Sequence, residues 1–332
     1  MSPPAASSLI TCFGEALIDM LSRESPDIAA PRQFTEYAGG APANVAVAVA
    51  RLGGRARFIG MLGEDLFGDR LLAQLQRAGV DVGCVRRTSK AKTALAFVSL
   101  DARGERSFSF YRPPAADLLF AEEHFDARCF EDAAIFHVCS NSLTEPAIAA
   151  ATLGGMRRAR ALGALVSMDI NLRPSLWPRG VDPLPSVWEA LLEADLVKLC
   201  GSELQFIAPA AGGVEAALAR LLATHAQCVL LTDGPAPMRW FTRESSGSLS
   251  TFSVPVIDTT AAGDAFVGGW LKALAQHGVR RGTLAALLAE RTQLTQCLCY
   301  AAACGALATT RHGAFAAMPT EEEVRALLEA QR

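Results

Sequence analysis

A lone carboxylate, Asp264, stands between a turn of small residues and an apolar run in the segment DTTAAGDAFVGGW, residues 258–270. The turn residues Ala261, Ala262 and Gly263 have almost no side chain, so a phosphate could approach their backbone closely. If a helix begins near Asp264, the amides of residues 261–264 are free first-turn donors, and the helix dipole adds to their attraction for an anion. A carboxylate is unfavourable beside a phosphate unless it accepts a proton from an attacking hydroxyl. The segment therefore predicts an anion hole with an adjoining general base.

Local physics also allows a simpler interpretation of Asp264. An aspartate at the start of a helix is commonly an N-cap, and this arrangement is more frequent than catalysis. Other phosphate-binding and hydrolytic motifs are missing, because the sequence has no Gly-Lys dipeptide, GxGxxG, GxSxG or HExxH. The residues alone therefore leave both interpretations of Asp264 open.

Predicted strands and helices alternate along most of the chain. Runs such as RARFIGMLG, AAIFHVCS and QCVLLTDGP predict strands, and runs such as DLFGDRLLAQLQRAGV and VEAALARLLATH predict the helices between them. LITCFGEALIDM predicts one short strand that ends near Asp19. In YAGGAPANVAVAVARLGG we predict a helix from Ala43 to Leu52, since only alanines separate its valines and Gly53-Gly54 supplies a stop. This alternation is typical of a mostly parallel sheet with helices on both faces, in one domain spanning residues 1–332.

Ligands of such sheets bind at the carboxyl ends of the strands. The polar or glycine residues that lie at or just past predicted strand ends are Asp19, Ser140, Asn171, Arg173, Glu203, Thr232 and Gly234. The segments TALAFVSL and RSFSFYR, on either side of a turn at Gly104, predict a hairpin that interrupts the series. A hairpin at this place suggests a flap. Its apolar face could pack on a second subunit, so a homodimer is expected.

Composition excludes several classes of protein. The net charge is −3 with no basic block, so nucleic acid is not an expected partner. The longest uncharged stretch, between Arg291 and Arg311, contains glutamines and Tyr300, which indicates a buried helix and not a membrane span. The N-terminus lacks the features of a signal peptide. Nine cysteines at irregular spacings, with no CxxC pair, predict reduced thiols in a cytoplasmic protein.

Two long segments resemble the signatures of the ribokinase-like (PfkB) carbohydrate kinases. DTTAAGDAFVGGW is similar to the C-terminal signature, and AGGAPANVAVAVARLGGRARFIGMLGEDLFG is similar to the N-terminal signature. GEALIDM, DINLRPSLW and TTRHGAFAAMPT are most similar to fructokinases. The resemblance implies a three-layer α/β/α sandwich with a mostly parallel central sheet. It also implies a small β-sheet lid, formed by segments at about 20–38 and 92–117.

The resemblance implies roles for individual residues. Asp264 matches the catalytic base, and Ala261, Ala262 and Gly263 match the anion hole that faces the transferred phosphoryl group. The positions that match contacts to the hydroxyls of the sugar are Asp19, Gly39, Gly40 and Asn44. Arg112, in FYRPP, matches a lid position near the substrate, although a solvated hairpin arginine is an equally good interpretation of this residue.

On the nucleotide side, Asn171 and Arg173 match a DxNxR pattern near the phosphates, with Arg173 stabilising the charge on the transferring group. Thr232 and Gly234 match the loop beside the nucleotide. The Asn-x-x-Glu motif of the family reads CGSE here, residues 200–203. Glu203 is kept and is expected to reach Mg²⁺ through water, whereas Cys200 replaces an amide with a weaker donor.

The resemblance further implies a potassium site beside the anion hole. Its main-chain ligands would come from positions matching Asp258, Thr260, Ala308 and Gly313. The implied activity is the transfer of phosphate from ATP, as its Mg²⁺ complex, to the 6-hydroxyl of D-fructose. One alternative is a kinase of another sugar or a sugar acid such as 2-keto-3-deoxygluconate, whose carboxylate could pair with Arg112 and Arg173. A second alternative, suggested by Cys200, is a catalytically weak sugar-sensing protein.

Overall fold

The computed structural model describes residues 8–23, 31–100 and 106–330 of the chain. The strands in these ranges are β1 (Leu9–Phe13), β2 (Leu17–Arg23), β3 (Gln33–Gly39), β4 (Arg55–Gly63), β5 (Asp81–Thr88), β6 (Leu95–Leu100), β7 (Arg106–Tyr111), β8 (Ala133–Cys139), β9 (Leu165–Asp169), β10 (Leu196–Cys200), β11 (Cys228–Asp233), β12 (Ala236–Thr242) and β13 (Ser246–Leu249). The α-helices are α1 (Ala41–Arg51), α2 (Leu66–Arg77), α3 (Pro146–Ala161), α4 (Leu184–Glu193), α5 (Gly201–Ile207), α6 (Val214–Leu222), α7 (Ala262–Gln276), α8 (Leu284–Ala289), α9 (Arg291–Ala308) and α10 (Glu321–Ala330).

A nine-stranded central sheet has the order β13-β12-β11-β10-β9-β8-β1-β4-β5. Every pair from β11 to β5 is parallel, and β12 and β13 join the end of the sheet as antiparallel strands. Successive strand residues face opposite cores, as in β8, where Ile135 packs in one core and Phe136 in the other. Helices α1, α2 and α7–α9 cover one face, and α3–α6 cover the other. The predicted three-layer α/β/α sandwich is confirmed.

A second, four-stranded sheet has the order β3-β2-β6-β7 and corresponds to the predicted small sheet. Strands β2 and β6 pair in parallel, and the two outer pairs are antiparallel. On one of its faces the rings of Phe34, Phe97 and Tyr111 meet edge to face. Parts of the predicted lid segments, residues 24–30 and the hairpin turn 101–105 with Gly104, lie outside the described residues.

The single strand predicted for LITCFGEALIDM is wrong, because the segment forms two strands in different sheets. Strand β1 pairs with β4 and β8, whereas β2 pairs with β3 and β6. Asp19 therefore lies inside β2 in the small sheet and not at the end of a core strand. The apolar pattern continues across the break at residues 14–16, so hydrophobic periodicity does not reveal that the chain changes partners.

Helix α7 is held between α1 and α9 by very close packing. A Cβ atom added to Gly268 would lie 2.5 Å from the Cβ of Ala48 in α1, and one added to Gly269 would lie 2.7 Å from the Sγ of Cys304 in α9. Small residues permit this approach of helix to helix. The predicted helix 43–52 is confirmed as α1, which begins two residues earlier.

Other predictions from composition have mixed outcomes. All nine cysteines are free thiols, as expected. Among the described residues, no helix is long and apolar enough to cross a membrane. Strands β5, β12 and β13 were not predicted. The cytoplasmic location stays a prediction.

Candidate active site

A cavity of about 500 Å³ lies between the small sheet and the ends of the central strands. The residues around it come from both sheets, from α1 and from the start of α7: Glu15, Leu17, Asp19, Gly40, Ala41, Asn44, Phe110, Arg112, Asn141, Asn171, Arg173, Leu176, Thr259, Thr260, Ala261 and Asp264. The structure thus brings together nine of the residues predicted from sequence: Asp19, Gly40, Asn44, Arg112, Asn171, Arg173, Thr260, Ala261 and Asp264.

Asp264 is the third residue of α7, and 7% of its surface is exposed. The Nδ2 atom of Asn44 donates to its Oδ2 at 2.7 Å, and the Nδ2 atom of Asn171 donates to its Oδ1 at 3.2 Å. An N-cap side chain would precede the helix and accept from first-turn amides. The N-cap interpretation of Asp264 is therefore wrong, because Ala261 occupies that position.

The two asparagines come from separate elements. Asn44 lies in α1, and Asn171 follows β9 with a left-handed φ of 42°. The sequence placed them at the sugar and at the phosphates, but in this structure both amides hold the carboxylate between them. The Oδ1 atom of Asn44 is buried without a hydrogen-bond partner among the described residues. Since a buried acceptor is costly to leave unpaired, this oxygen is available to a donor on a ligand.

The turn of the predicted anion hole has an unusual backbone. Ala261 adopts a left-handed conformation with φ of 59°, and α7 starts at Ala262. A non-glycine residue in this region is strained by about 1–2 kcal/mol, so the turn is held by its surroundings. The first-turn amides, which include those of Gly263 and Asp264, have no acceptor within the helix.

Lys198 in β10 was not predicted to take part in the site. Its Nζ lies 2.9 Å from Oδ2 of Asp169, and a Cβ atom on Gly263 would be 3.0 Å from the same Nζ. Burial alone would lower the pKa of Lys198, but Asp169, Glu203 and Asp264 together raise it. The side chain therefore stays an ammonium under the anion hole. The available signal was a single lysine inside the apolar strand LVKLC.

Burial raises the pKa of Asp264 above its ordinary value. The hydrogen bond from Asn44 and the positive charges of Lys198 and Arg173 offset part of this effect. Arg173 is exposed at the rim of the cavity, and its Nη1 donates to the carbonyl of Leu172. A carboxylate with a raised pKa, surrounded by donors, is suited to accept a proton from a hydroxyl.

Arg112 is 1% exposed, so the interpretation as a solvated hairpin arginine is wrong. Its Nε and Nη2 atoms lie 2.7 Å and 2.6 Å from Oδ2 of Asp117, whose side chain is 3% exposed. The guanidinium also interacts electrostatically with Glu15. Two buried carboxylates therefore neutralise this arginine at the wall of the cavity.

Glu15 was also missed by the sequence analysis. It is 1% exposed, and its Oε1 accepts from Nδ2 of Asn141 at 2.9 Å and from the amide of Ala41 at 3.2 Å. Burial raises the pKa of Glu15, although Arg112 and Asn141 offset part of the increase. The signal was a charged residue inside the apolar run LITCFGEALI.

The predicted sugar side is built around Asp19. This residue lines the cavity, and a Cβ atom on Gly39 would collide with its Oδ2, so Gly39 lies behind the carboxylate. Gly40 has a φ of 102° at the start of α1, and a Cβ atom there would lie 2.6 Å from the carbonyl oxygen of Glu15. Only glycine fits both the conformation and the space at this turn.

The predicted nucleotide side lies at adjoining strand ends. Thr232 pairs with Cys200 across β11 and β10, and Gly234 follows β11 with a φ of 54°. Both carboxylate oxygens of Glu203 accept main-chain amides, from Leu172 at 2.8 Å and from Cys200 at 2.7 Å. Glu203 thus joins the loop after β9 to the start of α5. A contact to Mg²⁺ through water would use its remaining lone pairs and stays a prediction.

The two loops of the predicted potassium site meet at Asp258. Its Oδ1 accepts from the amide of Thr260 at 2.7 Å, and its Oδ2 accepts from the amide of Gly313 at 3.2 Å. Ala308 ends α9 just before the second loop. Both carboxylate oxygens of Asp258 accept main-chain amides, so this side chain holds the two loops together. Such a role is consistent with a potassium site whose ligands are main-chain oxygens.

The family model for pfkB family carbohydrate kinases matches residues 7–321. The chain belongs to this family. The match covers both signatures and every element that surrounds the cavity. Membership of the pfkB family is consistent with a buried carboxylate and a helix N-terminus beside one polar cavity.

Similar proteins agree with this assignment. Fructokinase-1 of Zea mays is 39% identical over 329 residues, which cover 98% of this chain and 99% of the relative. A crystal structure of fructokinase with bound ATP from Xylella fastidiosa is 52% identical, with a TM-score of 0.94 and coverage of 98% and 99% of the two chains. A fructokinase double mutant from Vibrio cholerae O395, solved with fructose, ADP and potassium ion bound, is 31% identical, with a TM-score of 0.83 and coverage of 97% and 99%.

Proposed function

We propose that this pfkB kinase transfers the γ-phosphoryl group of ATP to the 6-hydroxyl of D-fructose. The observation that carries the proposal is the position of Asp264, a buried carboxylate that lines a polar cavity of about 500 Å³ at the N-terminus of α7. The similarity to fructokinases over nearly the full length supports the choice of sugar.

In the proposed reaction, Asp264 accepts the proton of the 6-hydroxyl as that oxygen attacks the γ-phosphorus. The new O–P bond forms while the bond to the β-phosphate oxygen breaks, and ADP leaves. The amides of residues 261–264, the Lys198 ammonium and Arg173 stabilise the charge on the transferring group. Mg²⁺ arrives with ATP as part of the substrate, and Asn171, Glu203, Thr232 and Gly234 surround the nucleotide end.

The electrostatics of the cavity favour a neutral sugar over a sugar acid. Glu15, Asp19 and Asp264 place three carboxyl groups on its wall. Arg112, which could have paired with a substrate carboxylate, is already neutralised by Asp117 and Glu15. Arg173 is the cation at the rim, where solvent weakens its attraction.

A panel of acceptors should therefore show kcat/KM for D-fructose on the order of 10²-fold above that for 2-keto-3-deoxygluconate, since like charges brought together cost several kcal/mol. The measurement is ADP release in a coupled assay, with ribose and glucose as neutral comparisons and ATP alone as the blank. A preference for the sugar acid would overturn D-fructose as the substrate but would leave the proposal of kinase activity standing.

The same assay separates the kinase from a sugar-sensing protein. A pure binding protein has no use for a base beside an anion hole, and the buried carboxylate of Asp264 in the first turn of α7 supports the kinase. We expect ATP consumption that depends on fructose. Binding of fructose without ADP release would favour the sensor.

Lys198 offers a test of the electrostatic part of the mechanism. Replacing Lys198 with methionine removes the charge below Gly263, and we expect kcat to fall by about 10²-fold, as for the loss of one transition-state donor. Loss of this cation also raises the pKa of Asp264 further, so activity should begin to fall at a higher pH on the acid side. Lys90→Met, which changes an exposed lysine, is the matched control.

The double variant Lys198→Met/Asp169→Asn guards against misfolding, because it leaves no unpaired carboxylate in place of the ion pair. If the acid side of the pH profile stays unchanged in both variants, Lys198 has no electrostatic influence on Asp264.

Two further features stay predictions. A potassium ion beside the anion hole is supported by the loop contacts of Asp258 and by the potassium-bound relative. A homodimer through the predicted apolar face of the hairpin is not supported at Phe110, which lines the cavity, whereas Phe34 and Tyr111 are 41% and 67% exposed and support a dimer through the other face of the small sheet.

A further inference from the structure

A pair of cysteines lies outside the set of residues that line the active-site cavity. Cys84 is in β5, at the end of the central sheet, and Cys129 is in the 3₁₀ turn Ala127–Cys129 before β8. Their sulfur atoms and a carboxylate oxygen of Asp126 all lie within 4.8 Å of one another. Residues distant in sequence are therefore in side-chain contact.

Charged groups of both signs surround this pair. Oδ2 of Asp126 accepts from Arg86 and from Arg128, each at 3.1 Å, while its Oδ1 accepts from the amide and the thiol of Cys129. Arg57 donates to the carbonyl of Arg128. The contact with Cys129 and the charge of Arg57 lower the pKa of Cys84, whereas burial and the carboxylates of Asp126 and Asp81 oppose this effect. A lowered pKa favours the thiolate, which is the reactive form of cysteine.

Two thiols and a carboxylate could also bind a thiophilic metal ion. Here the carboxylate is already paired with two arginines, and a third guanidinium lies nearby. These charges repel a cation, and within the described residues the cluster offers three ligand atoms where a structural zinc site uses four. The charges favour oxidation over metal binding.

We propose that Cys84 and Cys129 form a reversible disulfide when the protein meets hydrogen peroxide. The Cys84 thiolate attacks one peroxide oxygen, the O–O bond breaks, and the leaving hydroxide takes up a proton to become water. The sulfur of Cys129 then attacks the resulting sulfenic acid, and a second water leaves as the S–S bond forms. In sum, two thiols and one hydrogen peroxide give one disulfide and two waters.

Access and geometry fit a small oxidant. The cysteines are 2% and 0% exposed, but the side chain of Arg128 beside them is 64% exposed, so the pair lies one side-chain layer below the surface. An S–S bond is about 2.05 Å long, so the two sulfur atoms, which lie within 4.8 Å of each other, have to approach for the bond to form. The bond would close a loop over residues 84–129, which contains β6, β7 and Arg112.

The test is peptide mapping of the full-length protein. After exposure to one equivalent of hydrogen peroxide, free thiols are alkylated and the protein is digested without reductant. We expect a linked peptide pair containing Cys84 and Cys129, two hydrogen atoms lighter than the sum of the reduced peptides, which dithiothreitol separates. The pair should be absent from Cys84→Ser and Cys129→Ser and present in Cys200→Ser, which removes a more exposed cysteine outside the pair.

Two results would overturn the proposal. One is alkylation of both Cys84 and Cys129 after peroxide has oxidised other cysteines. The other is stoichiometric zinc binding by the reduced protein that is lost in Cys84→Ser, which would assign the cluster to a metal. Neither readout depends on kinase activity, so the outcome is separate from that of the proposed function.

Discussion

Replacing Asp264 with asparagine should lower kcat by about 10²- to 10⁴-fold, the usual contribution of a general base. Asparagine keeps the size of the side chain and one of its two acceptor atoms, but it cannot accept the proton of the attacking hydroxyl. The measurement is fructose-dependent ADP release at saturating substrates. Glu189→Gln makes the same chemical change at a side chain that is 55% exposed, and we expect it to leave kcat unchanged.

The stability of the same variant tests whether the loss is chemical. Burial raises the pKa of Asp264 in the folded protein above its value in the unfolded chain. The folded state then binds its proton more tightly, so this group contributes stability at low pH that is lost as the pH rises through the raised pKa. At neutral pH the ionised carboxylate therefore costs stability, and Asp264→Asn should melt at the same or a higher Tm. A variant that keeps nearly normal kcat would remove Asp264 from the role of base.

Replacing Arg112 with alanine should reduce the free energy of unfolding by about 3–5 kcal/mol, because it leaves buried carboxylates without their partner. Asp117 and Glu15 are 4% and 1% exposed, so both carboxyl groups lose the cation that faces them in the folded protein. Urea unfolding followed by circular dichroism measures the change. Arg157→Ala is the control, since its ion pairs are about half exposed and should be worth about 0–1 kcal/mol.

A second variant separates the lost pairing from lost packing. Arg112→Met/Asp117→Asn fills similar space and removes the unpaired charge of Asp117, so it should recover part of the lost stability. A loss below about 1 kcal/mol for Arg112→Ala would mean that the arginine behaves as a surface residue.

The sequence predicted the parts of the site that depend on local signals. The turn of small residues before Asp264 and the glycines before α1 are local features, and their signatures identified the family. Glu15 and Lys198 were missed, because each appears in sequence as one charged residue in an apolar strand. Their partners, Asn141 and Asp169, lie on other elements, and only the fold brings them together.

The roles of Asn44 and Arg112 show the same limit. Asn44 holds Asp264 across the packed pair α1 and α7, a contact that helical periodicity cannot reveal. Whether Arg112 is solvated or buried depends on Asp117, which lies in the turn after the hairpin. Sequence identified the residue types correctly, but pairings between distant segments required the structure.

Gly268 and Gly269 bring α7 into very close contact with α1 and α9. Since even a methyl group at either position would collide with α1 or α9, α7 cannot slide or rotate without separating the three helices. Asp264 is thus carried by a tightly packed helix. We therefore expect the shape changes that admit a hexose and release its phosphate ester to occur in the opposite wall, where β2, β6 and β7 form a thin layer.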